Sequence, residues 1–291
     1  MKKVCIVGKN SFIASHLDYE IISERLPISA DGIRAILEKY KPAVILNCVA
    51  FTGGKNIDGC EIDMAKTIEH NLIIPSMLAI ECEHMGIHMV HIGSGCIFYG
   101  KSPNFEITNL KTTEKYFDAI PQYKDTGWKE TDDPKLGNAS TYSKIKYSSD
   151  LAIGSLKGTS ILRIRMPISS KISSRNLINK LLNYTDIVET PNSVTFISDL
   201  IRVIDWTIQN EKFGIYHVTN KQPLTHSRIL EEYQKYKPFS YNKITPEQLS
   251  LLTVANRSNC LIDSSKLENE GFKMTDTIEA LEKTMKEYCN G

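Results

Sequence analysis

Short apolar runs alternate with segments of helical periodicity along the first half of the chain. The run Lys3 to Val7 is followed by Gly8, and a helical pattern then extends from Ser11 to His16. Further predicted strands are Val44 to Val49, Met89 to Gly93 and Ser160 to Arg165, and the predicted helices are Asp31 to Tyr40, Met64 to His84 and Tyr142 to Ala152. Strands that alternate with helices pair in parallel and are covered on both faces. The sequence therefore predicts an α/β fold with a doubly wound parallel sheet.

The pattern becomes less regular after Arg165. Shorter helices and strands are predicted there over Arg175 to Tyr184, Leu200 to Gln209, Ile215 to Val218, His226 to Tyr236 and Thr277 to Tyr288. We therefore expect a Rossmann-like domain over residues 1–165 and a smaller mixed α/β region over residues 166–291, some segments of which return to the first domain. The polar segment Lys101 to Thr126 has weak periodicity and is expected to be an insertion beside the site.

Composition excludes several classes of protein. The 291 residues include 41% apolar and 24% charged side chains, and the formal net charge of +1 carries no signature of nucleic-acid binding. No run approaches the roughly 18 apolar residues that a membrane span needs, and Met1 leads almost directly into an apolar strand, so we expect a cytoplasmic protein. The seven cysteines and seven histidines are spaced unlike a disulfide framework or a metal site.

The residues with the clearest chemical meaning are Ser94, Cys96, Tyr142 and Lys146. Tyr142 and Lys146 are four residues apart on a predicted helix, so they share a face, and an ammonium is expected to lower the pKa of a neighbouring phenol. Ser94 would complete a set that protonates the oxygen of a carbonyl as it receives hydride. Ser94 and Cys96 follow the carboxyl end of a predicted strand, where parallel sheets bind ligands, and Cys96 adds a second acid/base group.

The turn after the first strand stands where a dinucleotide-binding loop would lie. Its sequence runs from Gly8 to Ala14, and only the first glycine of the usual pattern is present. Ser11 and Ala14 are small, so the backbone amides around Asn10, Ser11, Phe12 and Ile13 can still meet a pyrophosphate. Arg25, at the end of a predicted strand from Glu20 to Arg25, either binds a ribose 2′-phosphate, which would favour NADPH over NADH, or is a solvated charge.

Longer matches extend through most of the chain. They are Gly53 to Glu61, Gly95 to Phe98, Tyr142 to Lys146, Arg163 to Ile168, Arg175 to Lys180, Pro191 to Ser193, Thr219 with Asn220, and Arg257 to Asn259. In these segments the chain resembles the extended short-chain dehydrogenases/reductases. More narrowly, it is similar to the bifunctional UDP-4-keto-6-deoxyglucose 3,5-epimerase/4-reductases that make UDP-L-rhamnose in plants and some giant viruses. The dTDP-4-dehydrorhamnose reductases and GDP-fucose synthases share parts of the pattern.

The resemblance implies a role for each matching residue. Ser94 and Tyr142 would hold and protonate the C4 oxygen of a UDP-linked 4-keto-6-deoxy sugar, Lys146 would also bind the nicotinamide ribose, and Cys96 and Lys180 correspond to the epimerisation pair. The implied cofactor contacts are Gly8, Asn10, Ser11, Phe12, Ile13, Arg25, Tyr142 and Lys146, with NADPH expected and NADH possible. The implied substrate contacts, mainly in the C-terminal region, are Gly53, Asn56, Arg175, Asn176, Arg257 and Asn259, and no metal is implied.

Alternatives remain open at this stage. A UDP-linked 2-acetamido-2,6-dideoxy-4-keto-hexose would suit the same residues, and a non-catalytic NADP-binding regulatory subunit would explain the missing loop glycines. Trp128 would either contact a sugar or uracil or anchor the core, and Asp58 and Glu61 would either touch substrate or have a loop-capping role. Many members of the family that the chain resembles form homodimers, so a homodimer is possible by analogy, although the sequence itself does not indicate the oligomeric state.

Overall fold

A central sheet of six strands organises the molecule, in the spatial order Glu20–Ile21, Val4–Val7, Val44–Asn47, His88–Ser94, Thr159–Ile164 and Gly214–Val218. The computed structural model describes residues 2–103 and 127–291, so the predicted insertion from Lys101 to Thr126 lies largely outside the described residues. β1 (Val4–Val7) pairs in parallel with β2 (Glu20–Ile21) and with β3 (Val44–Asn47), and β3 pairs in parallel with β4 (His88–Ser94). The strand order reverses direction between β1 and β3, and ligands bind such sheets beyond the carboxyl ends of the strands at this point.

The remaining strands are short. They are β5 (Thr159–Ile164), β6 (Pro167–Ile168), β7 (Asp186–Val188), β8 (Thr195–Phe196), β9 (Gly214–Val218) and β10 (Asn242–Ile244). β6 pairs with β8 and β7 pairs with β10, both in parallel, to form two small sheets. The α-helices are Ala30–Tyr40, Asp58–Ile62, Met64–Ile68, Ile74–His84, Thr141–Gly154, Leu177–Leu181, Ile197–Gln209, His226–Gln234, Pro246–Ser250, Ser265–Asn269 and Thr277–Asn290. The doubly wound α/β fold predicted from the sequence is confirmed.

Two local predictions were wrong in extent. The predicted helix from Ser11 to His16 is a single 3-10 turn, Ala14–His16, and the Ser11 hydroxyl accepts the Ile13 N–H at 3.2 Å, which competes with helical hydrogen bonding. The predicted strand from Glu20 to Arg25 ends at Ile21.

The predicted helix from Met64 to His84 is helical throughout, but its central segment Glu69–Ile73 is a π-helix. Pro75 has no N–H to donate to the carbonyl four residues earlier, so the turn before it widens.

The chain folds as two compact units, each with its own core. The first comprises Met1–Ile97, Asn138–Arg163 and Ile201–Tyr216, and the second comprises Phe98–Gly137, Ile164–Leu200 and His217–Gly291. In the first unit Ile33, Leu37, Ile45, Leu78 and Met89 are fully buried, and in the second Ile178, Phe196, Ile229, Leu281 and Met285 are. Apolar burial in each unit supplies the main stabilising free energy. Among the described residues no helix is both long and apolar enough to cross a membrane.

Candidate active site

The carboxyl end of β4 carries Ser94 and leads into a 3-10 turn, Gly95–Ile97. The Ser94 hydroxyl accepts the Cys96 N–H at 3.2 Å, which sets the direction in which the chain leaves the strand. Ser143 donates its hydroxyl hydrogen to the Cys96 carbonyl at 2.7 Å, so the turn is joined to the helix Thr141–Gly154. Ser94 is buried, whereas Cys96 is partly exposed.

The first turn of the helix Thr141–Gly154 is held by two side chains outside it. Ser140 is the N-cap, and its hydroxyl accepts the Ser143 N–H at 3.2 Å. The Glu61 carboxylate accepts the Thr141 N–H at 2.6 Å and the Thr141 hydroxyl at 2.5 Å. A carboxylate at a helix N-terminus satisfies free N–H groups and offsets the helix dipole. Of the two roles that the sequence left open for Glu61, the structure supports the capping role, and it places this role at the N-terminus of a helix.

Tyr142 lies one residue further along this helix and is 9% exposed. Burial raises its pKa above the ordinary value, the nearby Cys96 raises it further, and a hydrogen bond with Ser94 acts in the opposite direction. The lowering that the sequence suggested is therefore wrong, because the desolvation of the phenolate outweighs the stabilising contacts. Tyr142 is held in its protonated form, beside Ser94 and Cys96.

Lys146 is almost fully buried on the same helix, with 1% exposed. Its Nζ lies 2.9 Å from His91 Nε2 and 3.3 Å from the Ile92 carbonyl oxygen, both on β4. Burial lowers its pKa from 10.5 to about 8, Asp150 acts to raise it, and Arg163 acts to lower it. A buried ammonium whose pKa falls this far changes charge within the working range of most enzymes.

Lys146 lies among polar residues that the sequence patterns did not predict. They are Asn47 on β3, His91 on β4, Asp150 on the helix Thr141–Gly154 and Arg163 on β5, and all four are buried. Arg163 Nε donates to Asp150 Oδ2 at 2.7 Å. The available signal was a polar residue inside an otherwise apolar run, since His91 interrupts Met89-Val90-Ile92 and Asn47 ends Val44-Ile45-Leu46.

The turn after β1 is the predicted site for the pyrophosphate of a dinucleotide. Gly8 has φ +92°, and a Cβ there would lie 2.7 Å from the Cys48 carbonyl carbon, so only glycine lets β1 and β3 end this close together. The backbone N–H of Phe12 donates to no acceptor within the part of the chain that the structure describes. A free N–H in a turn at the end of β1 fits a phosphate oxygen. In this turn the Ser11 hydroxyl accepts the Ile13 N–H, and the Asn10 side chain is exposed.

Other predicted contacts in the first unit have structural partners. The Arg25 guanidinium is largely exposed and lies 3.2 Å from the Glu69 carboxylate. Gly53 has φ +75°, and a Cβ there would lie 2.1 Å from the Asn56 carbonyl oxygen, which requires glycine. The Asn56 side chain accepts the Asp58 N–H at 2.9 Å and so begins the helix Asp58–Ile62. Whether these residues also contact cofactor or substrate stays a prediction.

The second unit carries Lys180, Arg175 and Asn176. Lys180 lies on the helix Leu177–Leu181 and is partly exposed, and Arg175 is exposed just before that helix. Asn176 is fully buried: its Oδ1 accepts the Ile178 N–H, and its Nδ2 donates to the carbonyls of Ser169 and Lys171. This side chain shapes the loop that presents Arg175, and direct sugar contact by Asn176 stays a prediction.

Arg257 and Asn259 lie on a segment that a buried arginine holds in place. Arg165 is 1% exposed, and its guanidinium donates to the Ser258 hydroxyl at 2.9 Å, to the Ser258 carbonyl at 2.5 Å and to Asn192 Oδ1. Asn192 in turn donates to Asn259 Oδ1 at 3.2 Å, and Arg257 is partly exposed. The segment is thereby fixed with Arg257 at its surface.

Trp128 is fully buried in the second unit. It stacks on Phe98 with ring centroids 5.0 Å apart, and its indole N–H donates to the Gly100 carbonyl at 3.1 Å. Of the two roles left open for Trp128, the structure supports that of a core anchor. No cluster of histidine, cysteine or carboxylate side chains among residues 2–103 and 127–291 is arranged to hold a metal ion.

The reversal of strand order, the turn after β1 and the buried tyrosine and lysine beside β4 define a Rossmann-like α/β protein. The family model described as the RmlD substrate binding domain matches residues 23–290, and the chain belongs to this family.

Relatives of known name support the family. The chain is 31% identical over 271 residues to the bifunctional dTDP-4-dehydrorhamnose 3,5-epimerase/dTDP-4-dehydrorhamnose reductase of Arabidopsis thaliana, covering 92% of this chain and 84% of that protein. It is 33% identical to a trifunctional UDP-glucose 4,6-dehydratase/UDP-4-keto-6-deoxy-D-glucose 3,5-epimerase/UDP-4-keto-L-rhamnose-reductase of the same plant, covering 96% of this chain and 41% of that protein. The chain thus spans less than half of the trifunctional relative.

Solved structures agree on the fold. The UDP-rhamnose synthase of Acanthamoeba polyphaga mimivirus superposes with a TM-score of 0.85 at 24% identity, covering 98% of this chain and 99% of that one. The dTDP-4-dehydrorhamnose reductase of Bacillus anthracis, solved in complex with NADP, superposes with a TM-score of 0.78 at 18% identity, covering 99% of each chain. At these identities the two similarities show the fold alone.

Proposed function

We propose that this protein converts UDP-4-keto-6-deoxy-D-glucose to UDP-L-rhamnose by 3,5-epimerisation and NADPH-dependent 4-reduction. The observation that carries the proposal is the buried Tyr142 phenol, which bonds with Ser94 beside the partly exposed Cys96, with Lys146 on the same helix. Supporting it are the names of the relatives, which are rhamnose-forming reductases and epimerase/reductases.

In the reduction, Tyr142 acts as the proton donor. NADPH supplies a hydride to C4 when it is bound, and the C4 oxygen then needs a proton. Because burial keeps Tyr142 protonated, its O–H is available to donate; the O–H bond of the phenol breaks and an O–H bond to the sugar forms. Ser94 orients the C4 oxygen by hydrogen bonding, and the ammonium form of Lys146 stabilises the phenolate that remains.

In the epimerisation, Cys96 and Lys180 act as the proton-transfer pair. The C4 ketone acidifies the hydrogens at C3 and C5, since the carbanion formed is delocalised as an enolate. One group removes the proton as the C–H bond breaks, and the other returns a proton to the opposite face as a new C–H bond forms. Reduction at C4 then removes the ketone, which ends the exchange and fixes both inverted centres in the product.

The deciding experiment is proton NMR in deuterated water with the protein, NADPH and UDP-4-keto-6-deoxyglucose. Cofactor oxidation together with deuterium at both C3 and C5 of a UDP-L-rhamnose product supports both activities. Reduction without deuterium incorporation would contradict the epimerase half of the proposal. No turnover would contradict it entirely, and the UDP-linked 2-acetamido-4-keto sugar would be tested next, followed by NADPH binding alone as expected of a regulatory subunit. Parallel runs with the dTDP-linked sugar and with NADH test the nucleotide and cofactor preferences.

Paired variants separate the two activities. Tyr142→Phe is expected to lower reduction by about two to four orders of magnitude, because it removes the proton donor while leaving the ring. Tyr147→Phe, on the same helix, is the matched control. Cys96→Ala is expected to abolish deuterium incorporation, with the partly exposed Cys289→Ala as its control. Equal deuterium incorporation in both cysteine variants would remove Cys96 from the mechanism.

A further inference from the structure

Three polar side chains form a continuous line through the interior of the first unit. Asn47 Nδ2 lies 3.0 Å from His91 Nδ1, and His91 Nε2 lies 2.9 Å from Lys146 Nζ. Asn47 and His91 are directly opposite each other in the parallel pairing of β3 with β4, so they share one face of the sheet. Asn47 and His91 are completely buried and Lys146 is 1% exposed. Hydrogen bonds in such an interior must match each donor to an acceptor.

The direction of these hydrogen bonds is set at Asn47. The Val49 N–H donates to Asn47 Oδ1 at 3.0 Å, so the amide oxygen is occupied on that side and the NH2 group faces His91. An NH2 group can only donate, and Nδ1 of His91 must therefore accept. Burial, with Lys146 adding to it, lowers the pKa of His91 well below 6.5, so the ring is neutral and carries one hydrogen. That hydrogen is on Nε2, the nitrogen that faces Lys146.

This arrangement distinguishes the two forms of Lys146. An ammonium has N–H groups and no lone pair, so it would meet the His91 Nε2–H with hydrogen against hydrogen. A neutral amine accepts this hydrogen in its lone pair and still donates to the Ile92 carbonyl oxygen at 3.3 Å. We propose that Asn47 locks His91 as the Nε2–H tautomer, and that His91 is a positioning residue that favours the neutral amine of Lys146 over its ammonium form.

The other groups around Lys146 are accounted for in the same unit. Asp150, one turn further along its helix, favours the ammonium, and Arg163 on β5 disfavours it. The ionisable groups that act on Tyr142, one turn earlier on the same helix, are Cys96, Cys60 and Asp150, and Glu61 is engaged at the start of the helix. Asp150 and Arg163 bind each other at 2.7 Å, so their effects on Lys146 partly cancel. The contact between Lys146 and the His91 Nε2–H therefore disfavours the ammonium, and no opposing effect in this group cancels it.

The consequence for catalysis rests on the proposed function. If Lys146 assists Tyr142 as an ammonium, the upper pH limit of reduction is set by the loss of its proton, and Asn47 controls this limit through a residue that touches no substrate. The tautomer of His91 is a property of the folded protein alone. It can therefore be measured without substrate, cofactor or turnover, and it stands or falls separately from the proposed activity.

The first test is nitrogen-15 NMR of the full chain labelled at histidine, with the His91 signals assigned by their loss in His91→Gln. We expect the chemical shifts of a neutral ring protonated at Nε2, unchanged between pH 7 and pH 9.5. His88, which is also buried and lies 2.7 Å from the Ser160 hydroxyl through its own Nε2, is the internal comparison. A His91 ring protonated at Nδ1, or protonated at both nitrogens at pH 7, would overturn the proposal.

The second test is Asn47→Asp, which keeps the size of the side chain and the hydrogen bond from Val49. An aspartate can only accept, so His91 should move its hydrogen to Nδ1 and present a lone pair to Lys146. The titration midpoint of Lys146, followed by carbon-13 NMR at Cε, should then rise by about one pH unit or more. Asn210→Asp, which adds the same charge at an exposed position in this unit, should leave the midpoint unchanged.

A neutral variant separates the tautomer from the added charge. Asn47→Leu removes the donor to Nδ1 without adding a carboxylate, so the lock on the tautomer is lost. The Lys146 midpoint should still rise, by less than in Asn47→Asp, and the Nε2–H signature should weaken. If Asn47→Asp raises the midpoint while His91 remains protonated at Nε2, or if Asn47→Leu changes neither signal, the tautomer does not control Lys146 and the proposal fails.

Discussion

Lys146 in the first unit and Arg165 in the second are both almost completely buried, and their surroundings hold them in different ways. Lys146 in the first unit faces a histidine, an aspartate and an arginine, and its pKa is lowered to about 8. Arg165 in the second unit donates to the oxygens of Asn192 and Ser258, which are neutral. A lysine can lose its charge when buried, whereas an arginine remains charged in proteins. The first arrangement therefore leaves a group that can titrate, and the second builds a permanent structural brace.

The hydrogen bonds of Arg165 hold in place a segment that is predicted to bind substrate. Ser258 lies between Arg257 and Asn259, and its hydroxyl also donates to the Phe98 carbonyl at 2.5 Å. Asn192 accepts the Cys260 N–H at 3.1 Å as well as the Arg165 guanidinium. These hydrogen bonds hold Arg257 in one place, which under the proposed function would reduce the entropy lost when the diphosphate of the substrate binds. The comparison teaches that a buried cation can act through its charge or through its geometry.

The largest expected effect is on stability, when the hydrogen bonds of Arg165 are removed. Arg165→Lys keeps the positive charge but cannot reach Ser258 and Asn192 together, because it lacks the planar fork. We expect the free energy of unfolding to fall by about 3 kcal/mol, from two or more lost charge-assisted hydrogen bonds. Urea unfolding at pH 7 measures this loss, with the exposed Arg202→Lys as the control. Equal stability of the two variants would show that charge alone is sufficient at residue 165.

Replacing Lys146 is expected to raise the free energy of unfolding, whereas replacing Arg165 lowers it. Lys146→Met removes a buried ammonium, so at pH 7 the free energy of unfolding should rise by about 2 to 3 kcal/mol. The wild-type pKa is about 8 when folded and 10.5 as the unperturbed value, so the unfolded chain binds more protons between these pH values. Wild-type stability therefore recovers as pH rises through this interval, and the advantage of Lys146→Met should shrink.

Urea unfolding of both proteins at pH 7 and pH 9.5 tests this sign. A variant that is less stable than the wild type at pH 7 would mean that the contacts of Lys146 outweigh the cost of burying its charge. The comparison with Arg165 would then fail, because both cations would be stabilising braces.

The sequence predicted features that depend on local patterns, and it did not predict contacts between residues that are distant in the chain. The apolar runs predicted β1, β3, β4 and β5, and the spacing of Tyr142 and Lys146 placed both on one helix, because these are local patterns. Asn47 and His91 are 44 residues apart and meet only through the register of two strands, which no local pattern contains. Arg165 and Ser258, 93 residues apart, meet in the same non-local way.

The sequence also does not show how deeply a side chain is buried. The sequence placed a phenol and an ammonium on one helix face but gave no measure of desolvation, which reverses the expected direction for Tyr142. Likewise, Trp128 and Glu61 carried two possible roles each until the structure showed a fully buried ring and an occupied carboxylate. Charge and spacing are visible in a sequence, whereas the dielectric environment depends on the whole fold.

The pH dependence of the activity should follow the protonation of Lys146. Under the proposed function, the rate of 4-reduction falls above about pH 8, approaching tenfold per pH unit, as the ammonium loses its proton. Steady-state rates from pH 6 to pH 10 at saturating NADPH measure this limb. In Lys146→Arg, the charge cannot be lost, so any remaining activity should lack the limb. A wild-type profile that stays level to pH 9.5 would show that reduction does not depend on the charge of Lys146.

The smallest expected effect is at the start of the helix that carries Lys146. Glu61→Gln keeps one oxygen acceptor but loses the carboxylate charge and the second acceptor for Thr141, so the free energy of unfolding should fall by about 1 kcal/mol. The exposed Glu38→Gln is the control for stability. The Lys146 midpoint in carbon-13 NMR should stay near pH 8, because burial lowers the pKa of Lys146, and the charges that act on it are Asp150, which raises it, and Arg163, which lowers it. A shift of a full pH unit in Glu61→Gln would mean that the helix terminus, and not the interior around His91, controls the lysine.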